Sequence, residues 1–444
     1  MSNTQSLTAG FIDLATFDEL EKYLYGGADA TTYFVALVKT STWFTLIPTV
    51  LTKNMGQADW GQEWAASISR AGDYLVHTWL RGNVPSVSVA PQSNTNIRWC
   101  HNFAHNLIQE ATVTFNDLIA ARFDSYYLDF WAAFTVPASK RVGYDNMIGN
   151  TGSNTIAKPT LNAFTFNLPL PFFFTRDTGV ALPTAALPYN EMRIQITMRN
   201  SSDLLVVYPP VGFPGGRPVQ NGDLAAPVGP LTHVNIWAEY AIVSNDERKR
   251  MGCAPRDILI EQVQTAPRQT FKLGDSSAGT TDIRFSHAVK ALFFAARNKT
   301  VELSNYVVGN LVVTGQPGSV AVNVDPVSNA TLLYENTQRL AGLPADYYSL
   351  VEPWYKAPTI PDVTGYHMYS YSINVYDINP MGSTNFGKLT NVSLDLASSG
   401  VQFPADSNKA TPPGPVNYVY ESVICAVNHN VIRISGGALG FPVL

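Results

Sequence analysis

His101 and His105 stand four residues apart beside Cys100. On a helix that spacing sets both imidazoles on one face, where they could share a metal ion. No glutamate completes a His-Glu-x-x-His pattern, and the nearby Thr112–Phe115 alternates like a strand, so a metal site is not expected. Gly274-Asp-Ser276 resembles the start of a serine-nucleophile motif, but Ser277-Ala278 follow instead of two glycines. It lacks the Gly-x-Ser-x-Gly elbow as well, and a turn explains it. His77, His233, His287, His367 and His429 are scattered through alternating segments and suit hydrogen-bonded strand positions. No phosphate-binding or dinucleotide glycine motif occurs; Gly215-Gly216 lies between prolines. Pro171-Phe-Phe-Phe174 and Tyr126-Tyr127 with Trp131 could form a sugar platform, though core packing and subunit contact are commoner uses of such clusters. The residues predict no catalytic site, no metal and no cofactor.

The totals point the same way. At 444 residues the chain exceeds one ordinary core, so two domains are expected. Hydrophobic residues make up 45%, but charged ones only 14%, against roughly 25% in soluble domains. Two explanations stand: surface covered by copies or partners, or long neutral loops. Between Glu302 and Glu335 the only charge is Asp325. A net charge of -5 offers no basic field for nucleic acid. Arg248-Lys-Arg250 follows Asp246-Glu247 and is expected to be a solvated helix face. Cys100, Cys253 and Cys425 are widely separated, which suits buried thiols in a reducing compartment and leaves an intermolecular disulfide open. Residues 1–10 lack a basic start and apolar run, and Tyr33–Leu51 contains Lys39 and Pro48, so neither a signal peptide nor a membrane span is expected. The sequons at Asn200, Asn298, Asn329 and Asn391 are expected to be chance matches.

These residues need a scaffold. Thr16 with Glu19 suggests a capping box opening a helix with Phe17, Leu20 and Leu24 on one face, stopped at Gly26-Gly27. Beyond about residue 33 the period becomes two. Val84–Ala90, Met192–Met198 and Val234–Tyr240 alternate apolar and polar residues, as half-buried antiparallel strands do. Leu168-Pro-Leu-Pro171 and Tyr208–Pro214 break the pattern, and many short strands with such punctuation mean a sandwich or barrel.

Ser244–Gly252 reads as one charged helical turn between strand-rich halves, with strands resuming at Ile258. Val234–Val243 and Tyr418–Val427 end the halves alike. The expected division is an arm at 1–33, a first jelly roll at 34–244, a linker at 245–257 and a second jelly roll at 258–444. Pro380–Asn391 then joins an alternating strand at Tyr369–Tyr376 to another at Val392–Leu396, a tight connection without chemistry.

In order along the chain, several motifs resemble the major capsid protein family of the iridoviruses, within the nucleocytoplasmic large DNA viruses. They are Glu21–Val35, Arg70-Ala-Gly-Asp-Tyr-Leu75, Phe103–Gln109, Pro171–Gly179, Leu187–Glu191, Asp246-Glu-Arg248, Leu259–Gln262, Ser286–Leu292, Pro380–Asn391 and Asn428–Arg433. The resemblance implies an all-β double jelly roll, two tandem eight-stranded sandwiches with an N-terminal arm and a few short helices. It also implies a structural, non-catalytic role: homotrimeric pseudo-hexagonal capsomers tiling an icosahedral shell over an internal membrane. Partners would be neighbouring capsomers and minor capsid and penton proteins, without direct nucleic-acid binding. The place would be the virion, assembled in host cytoplasm. Loops 203–230 and 303–334 are candidates for an outer tower and trimer locking. A viral jelly-roll glycan-binding or spike module is the alternative, and an enzyme on a β-sandwich a second.

Overall fold

The computed structural model describes residues 11–16, 18–34, 40–208, 216–253, 255–272, 280–299, 302–307, 324–398 and 419–441. Contacts divide the chain into Met1–Trp43 and Phe44–Leu444. The first unit carries helix α1 (Glu19–Tyr25). Its capping box is set two residues later than the Thr16 expectation: Asp18 accepts from Leu20 N and Glu21 N, and Glu21 reaches back to Asp18 N. Thr16 instead closes on its own preceding turn, donating to Asp13 O at 2.8 Å. Aspartate is the better cap, and its charge meets the helix N-terminus.

The second unit is two copies of one strand plan. The first uses β1 (Phe44–Val50), β2 (Glu63–Ser67), β3 (Tyr74–Val84), β4 (Ile108–Phe115), β5 (Leu118–Asp124), β6 (Phe164–Pro169), β7 (Met192–Met198) and β8 (Thr232–Val243). One sheet runs β1-β8-β3-β6; the facing one runs β2-β7-β4-β5, with the short strand Thr52–Met55 beside β2. The second copy uses β9 (Arg256–Thr265), β10 (Thr280–Asp282), β11 (Ala288–Asn298), β12 (Val327–Tyr334), β13 (Thr337–Pro344), β14 (His367–Ser370), β15 (Val392–Ser398) and β16 (Val419–Ser435). Its sheets run β9-β16-β11-β14 and β10-β15-β12-β13. Position for position the orders are the same, and all these pairs are antiparallel. Each is a jelly roll. The matching ends seen in sequence are the eighth strands of the two rolls.

Alternation marks the sandwich faces as expected. Met192, Ile194, Ile196 and Met198 are buried, while Arg193, Gln195 and Thr197 are only half-buried. The second roll has its own interior of Val289, Leu292, Phe294, Leu332, Leu394 and Ile424. Ala291, Phe293 and Ala295, on the other face of β11, join the core of the first roll together with Ile260, Val423 and Cys425. The sheet β9-β16-β11-β14 is therefore buried on both faces, which is why Ala291–Ala296 within β11 is a continuous apolar run.

Helices fill the connections: α2 (Phe103–Leu107), α3 (Ser125–Thr135), α4 (Ala138–Ile148), α5 (Asn245–Cys253) and α6 (Glu352–Lys356), the last continuing a π-helical turn at Tyr347–Val351. Two expectations fail in part. The strand foreseen at Tyr369–Tyr376 stops at Ser370, because Ser372 and Asn374 side chains take the following backbone groups: Ser372 Oγ bonds Asn374, and Asn374 Oδ1 accepts from Tyr376 N at 2.9 Å. The loops foreseen at 203–230 and 303–334 contain sheet strands. Leu205–Tyr208 pairs with Asn96–Trp99, and Val327–Tyr334 is β12.

Candidate functional site

Among the described residues no catalytic constellation is assembled; the buried charges that join the two rolls lie in the seam between them. Segment 302–307 of the second roll enters the first. Arg98, on strand Asn96–Trp99, holds Glu302 bidentately at 2.9 and 3.0 Å, with both side chains about 1% exposed. Tyr208 OH accepts from Arg98 Nε at 3.0 Å, and His101 Nδ1 lies 3.1 Å from Glu302 Oε2. Burial alone would push the Glu302 carboxyl up. The Arg98 guanidinium and His101 outweigh it and hold the carboxyl well below its ordinary value.

Beside it Asp129, on α3, accepts four hydrogen bonds. Asn102 Nδ2 gives one at 3.0 Å and His105 Nδ1 one at 2.7 Å; Ser304 Oγ and Tyr306 OH reach its other oxygen at 2.6 and 2.9 Å. Ser304 and Tyr306 again come from the second roll. Burial and the neighbouring Asp129 charge raise the Tyr306 hydroxyl far above its usual range, so it stays a donor. His105 Nε2 then accepts from Tyr144 OH at 2.6 Å. Both ring nitrogens are used within the protein, which leaves no lone pair for a metal. Among the described residues no group of His, Cys, Asp and Glu could hold one.

A third node joins Arg176 of the first roll to Glu261 of β9 and Lys290 of β11. Lys290 Nζ donates to Glu261 Oε1 at 2.7 Å and also to Asp377 O; Arg176 donates to Glu261 Oε2 and, at 2.9 Å, to Tyr376 O. The Arg176 guanidinium lies 4.0 Å over Trp131. His429, on β16, faces this node from the register position opposite Glu261, and neither ring nitrogen has a hydrogen-bond partner among the described residues. Desolvation lowers its basicity, the Glu261 charge opposes that, and Lys290 and Arg176 lower it further. The expectation of ordinary hydrogen-bonded strand histidines thus fails at His429, while His105 sits on α2 with both ring nitrogens engaged.

Between these nodes the seam is apolar. Phe130 and Phe134 of α3 stack on Phe293 at 6.0 and 5.5 Å. Phe172, Phe173, Phe174, Tyr126 and Tyr127 are all buried, so these clusters are core and form no sugar platform. Arg70-Ala-Gly-Asp73 is structural as well. Arg70 Nη2 donates to Leu187 O and Asn190 O at 2.7 Å. Asp73 takes Arg248 of α5 at 2.7 and 3.0 Å. Arg248 is therefore a latch on the first roll, not merely a solvated helix face. A Cβ on Gly72 would stand 2.5 Å from Tyr240 Cβ, so glycine alone lets the latch close against β8. Cys100 and Cys425 are buried with thiols raised by desolvation, and Cys253 is exposed and free. Gly274-Asp-Ser276 lies outside the described residues.

Pro380–Asn391 packs on the second roll. Gly382 has φ +129°, and a Cβ there would lie 2.5 Å from Tyr371 O. Asn385 Oδ1 accepts from Gly387 N at 3.0 Å, fixing a turn that buries Phe386 against Phe285 at 6.2 Å. Glu335 accepts from Thr390 N and Asn391 N at 2.6 and 3.0 Å.

The outward surface has its own pattern. Leu350, Val351, Trp354 and Tyr355 are 51, 45, 70 and 76% exposed on one helical segment. Phe44, Leu46, Ile47 and Val50 are exposed along the edge strand β1. Edges and apolar patches of this kind mark contact surfaces.

Residues 32–243 match the family described as "Major capsid protein N-terminus", and residues 247–440 match "Large eukaryotic DNA virus major capsid protein". The chain is 56% identical to the major capsid protein of Costelytra zealandica iridescent virus over 465 aligned positions, covering 100% of this chain and 99% of that one. It is 44% identical to the major capsid protein of Lymphocystis disease virus 1 (isolate Darai), covering 99% and 98%. Among solved structures, the quasi-atomic PBCV-1 virus capsid superposes with TM-score 0.76 at 19% identity, covering 93% of this chain and 100% of that one. The Faustovirus major capsid protein gives 0.70 at 12%, covering 92% and 93%.

Proposed function

From the premise that this chain belongs to the major capsid protein family of the large eukaryotic DNA viruses, alongside those of the iridescent viruses, we propose how it builds a shell. It is a structural protein of the virion capsid, and it associates with itself and with neighbouring capsomers. Three copies close into a pseudo-hexagonal capsomer, the six jelly rolls giving the outline. The carrying observation is that the two rolls share one strand order and are locked by buried charge and stacked aromatics. A rigid pair of like units can behave as two-sixths of a ring, whereas a loosely jointed pair could not set the angle.

The rolls divide near the α5 linker at residues 245–257, and the arm at 1–33 serves contacts with neighbours, minor capsid or penton proteins on the membrane-facing side. Assembly takes place in host cytoplasm. No catalysis is assigned: the buried His105, Asp129, Glu261 and Glu302 hold the seam together, and the buried Asp73 holds Arg248. The purified chain is expected to run as a particle of three times its own mass at micromolar concentration. A stable, folded monomer there would contradict the capsomer.

Gly382 and Asn385 give a sharper check. Gly382→Val forces a β-branched residue into a φ that costs ~1–3 kcal/mol before its contact with Tyr371 O is counted. Asn385→Ala removes a cap worth ~1 kcal/mol. Both are expected to lower the yield of soluble trimer, valine more. Wild-type yields from both would show that this connection does not set the capsomer's shape.

A further inference from the structure

The chain makes one contact internally and carries both halves of a second, unmade copy of it. In each roll the fifth strand reaches the sixth through a helix, and the two helices open alike. Asp124 precedes Tyr126-Tyr127 and leads to Trp131; Asp346 precedes Tyr347-Tyr348 and leads to Trp354. The first helix, α3, is covered on two sides. Tyr127 packs on Phe123 of its own roll at 6.2 Å, while Phe130 and Phe134 lie on Phe293, in the outer face of the second roll's sheet. The second helical segment is covered on one side only. Tyr348 is buried edge-on against Phe294 at 5.2 Å and donates to Ala330 O at 3.1 Å. Trp354, on the opposite side, is 70% exposed.

The receiving surface is also duplicated. Phe293 sits on the third strand of its roll, paired with Cys425 on the eighth. In the first roll the same strands pair Trp79 with Trp237, whose rings stack at 6.0 Å and 13°. Val50 stands opposite Trp237 and Pro169 opposite Trp79, which widens the apolar face. Trp79 and Trp237 remain only half-buried and belong to neither core. An exposed helix face with a tryptophan and a half-covered tryptophan stack have the composition of interface hot spots.

We propose that the exposed face of Tyr347–Lys356 in one copy docks on the Trp79–Trp237 face of a second copy, repeating between chains the contact that α3 makes within the chain. This rests on the capsomer reading and names its contact surface. The two faces are unlike, so the contact is head to tail and must close into a ring or run on as a filament. Continuing an interface already present between the two rolls gives closure after three chains when the six roll-to-roll angles are alike.

The test uses the full purified chain in a dilution series followed by sedimentation. Trp354→Asp and Trp237→Lys are compared with wild type, with circular dichroism confirming that each stays folded. Each single change is expected to weaken association at least ~30-fold, the ratio for a hot spot worth ~2 kcal/mol. A mixture of the two variants, or the double variant, is expected to recover part of the loss through the new charge pair. In a Cys253→Ser background, cysteines placed at 354 and 237 should give covalently linked copies on oxidation, and those links should be intermolecular. Trimers of wild-type affinity from folded Trp354→Asp would overturn the docking site and leave the capsomer intact. A wild-type chain that stays monomeric would overturn the capsomer itself. Normal trimers that fail only in building shells would assign the helix face to another partner and also overturn the proposal.

Discussion

Glu302→Gln is expected to cost ~3–5 kcal/mol of unfolding free energy, because it leaves the Arg98 guanidinium buried without its counter-charge. Nearly complete burial of both side chains decides the size of the effect; exposed pairs of the same geometry are worth far less. Equilibrium denaturation of the purified protein measures it. A change below ~1 kcal/mol would show that water or another group solvates Arg98 and that the seam is not held by this pair. A pH signature accompanies it. The folded-state Glu302 carboxyl lies below its ordinary value near 4.5, so the unfolded chain binds more protons between those two points. The contribution of this group is complete above the ordinary value and is lost as pH falls through the folded one. The difference between wild type and Glu302→Gln is therefore expected to be flat above pH ~5 and to shrink only in stronger acid.

Phe293→Ala is expected to cost a similar ~3–5 kcal/mol, by opening a cavity where Phe130 and Phe134 now stack. Its location matters more than its size. Phe293 faces the seam, whereas its neighbour Phe294 faces the interior of the second roll. Loss of Phe293 should uncouple the rolls, so that calorimetry resolves two transitions where wild type shows one. Phe294→Ala should weaken the second roll from within. One transition at the wild-type midpoint for Phe293→Ala would mean that the rolls are not coupled through this contact.

Much of the scaffold could be read from the chain because antiparallel strands with one wet face leave a period of two. Met192–Met198 and Val234–Tyr240 show it plainly, and the resemblance motifs ordered the rest. Other features left no local trace. Helix α3 buries nearly every residue from Ser125 to Thr135, so it shows no apolar stripe; its one sequence signal was Asp124 as a cap. Glu302 and Arg98 are 204 residues apart, and no spacing rule joins them. The neutral stretch after Glu302 looked like an outer-tower or trimer-locking loop, yet its first residues carry Ser304 and Tyr306, which lock the two rolls of one chain together. His101 and His105 gave no sign of their actual partners, Glu302 and Asp129, because those are remote in sequence. Ser372 and Asn374 broke an alternating strand that hydrophobicity alone would have continued.

Electron cryomicroscopy of the purified particle tests the central claim most directly. The expected result is three chains in a ring, each with its two jelly rolls fixed by the Arg98–Glu302 and Phe130–Phe293 contacts, and six rolls spaced nearly evenly around the rim. A single chain, or a particle whose rolls adopt variable angles within each chain, would contradict it.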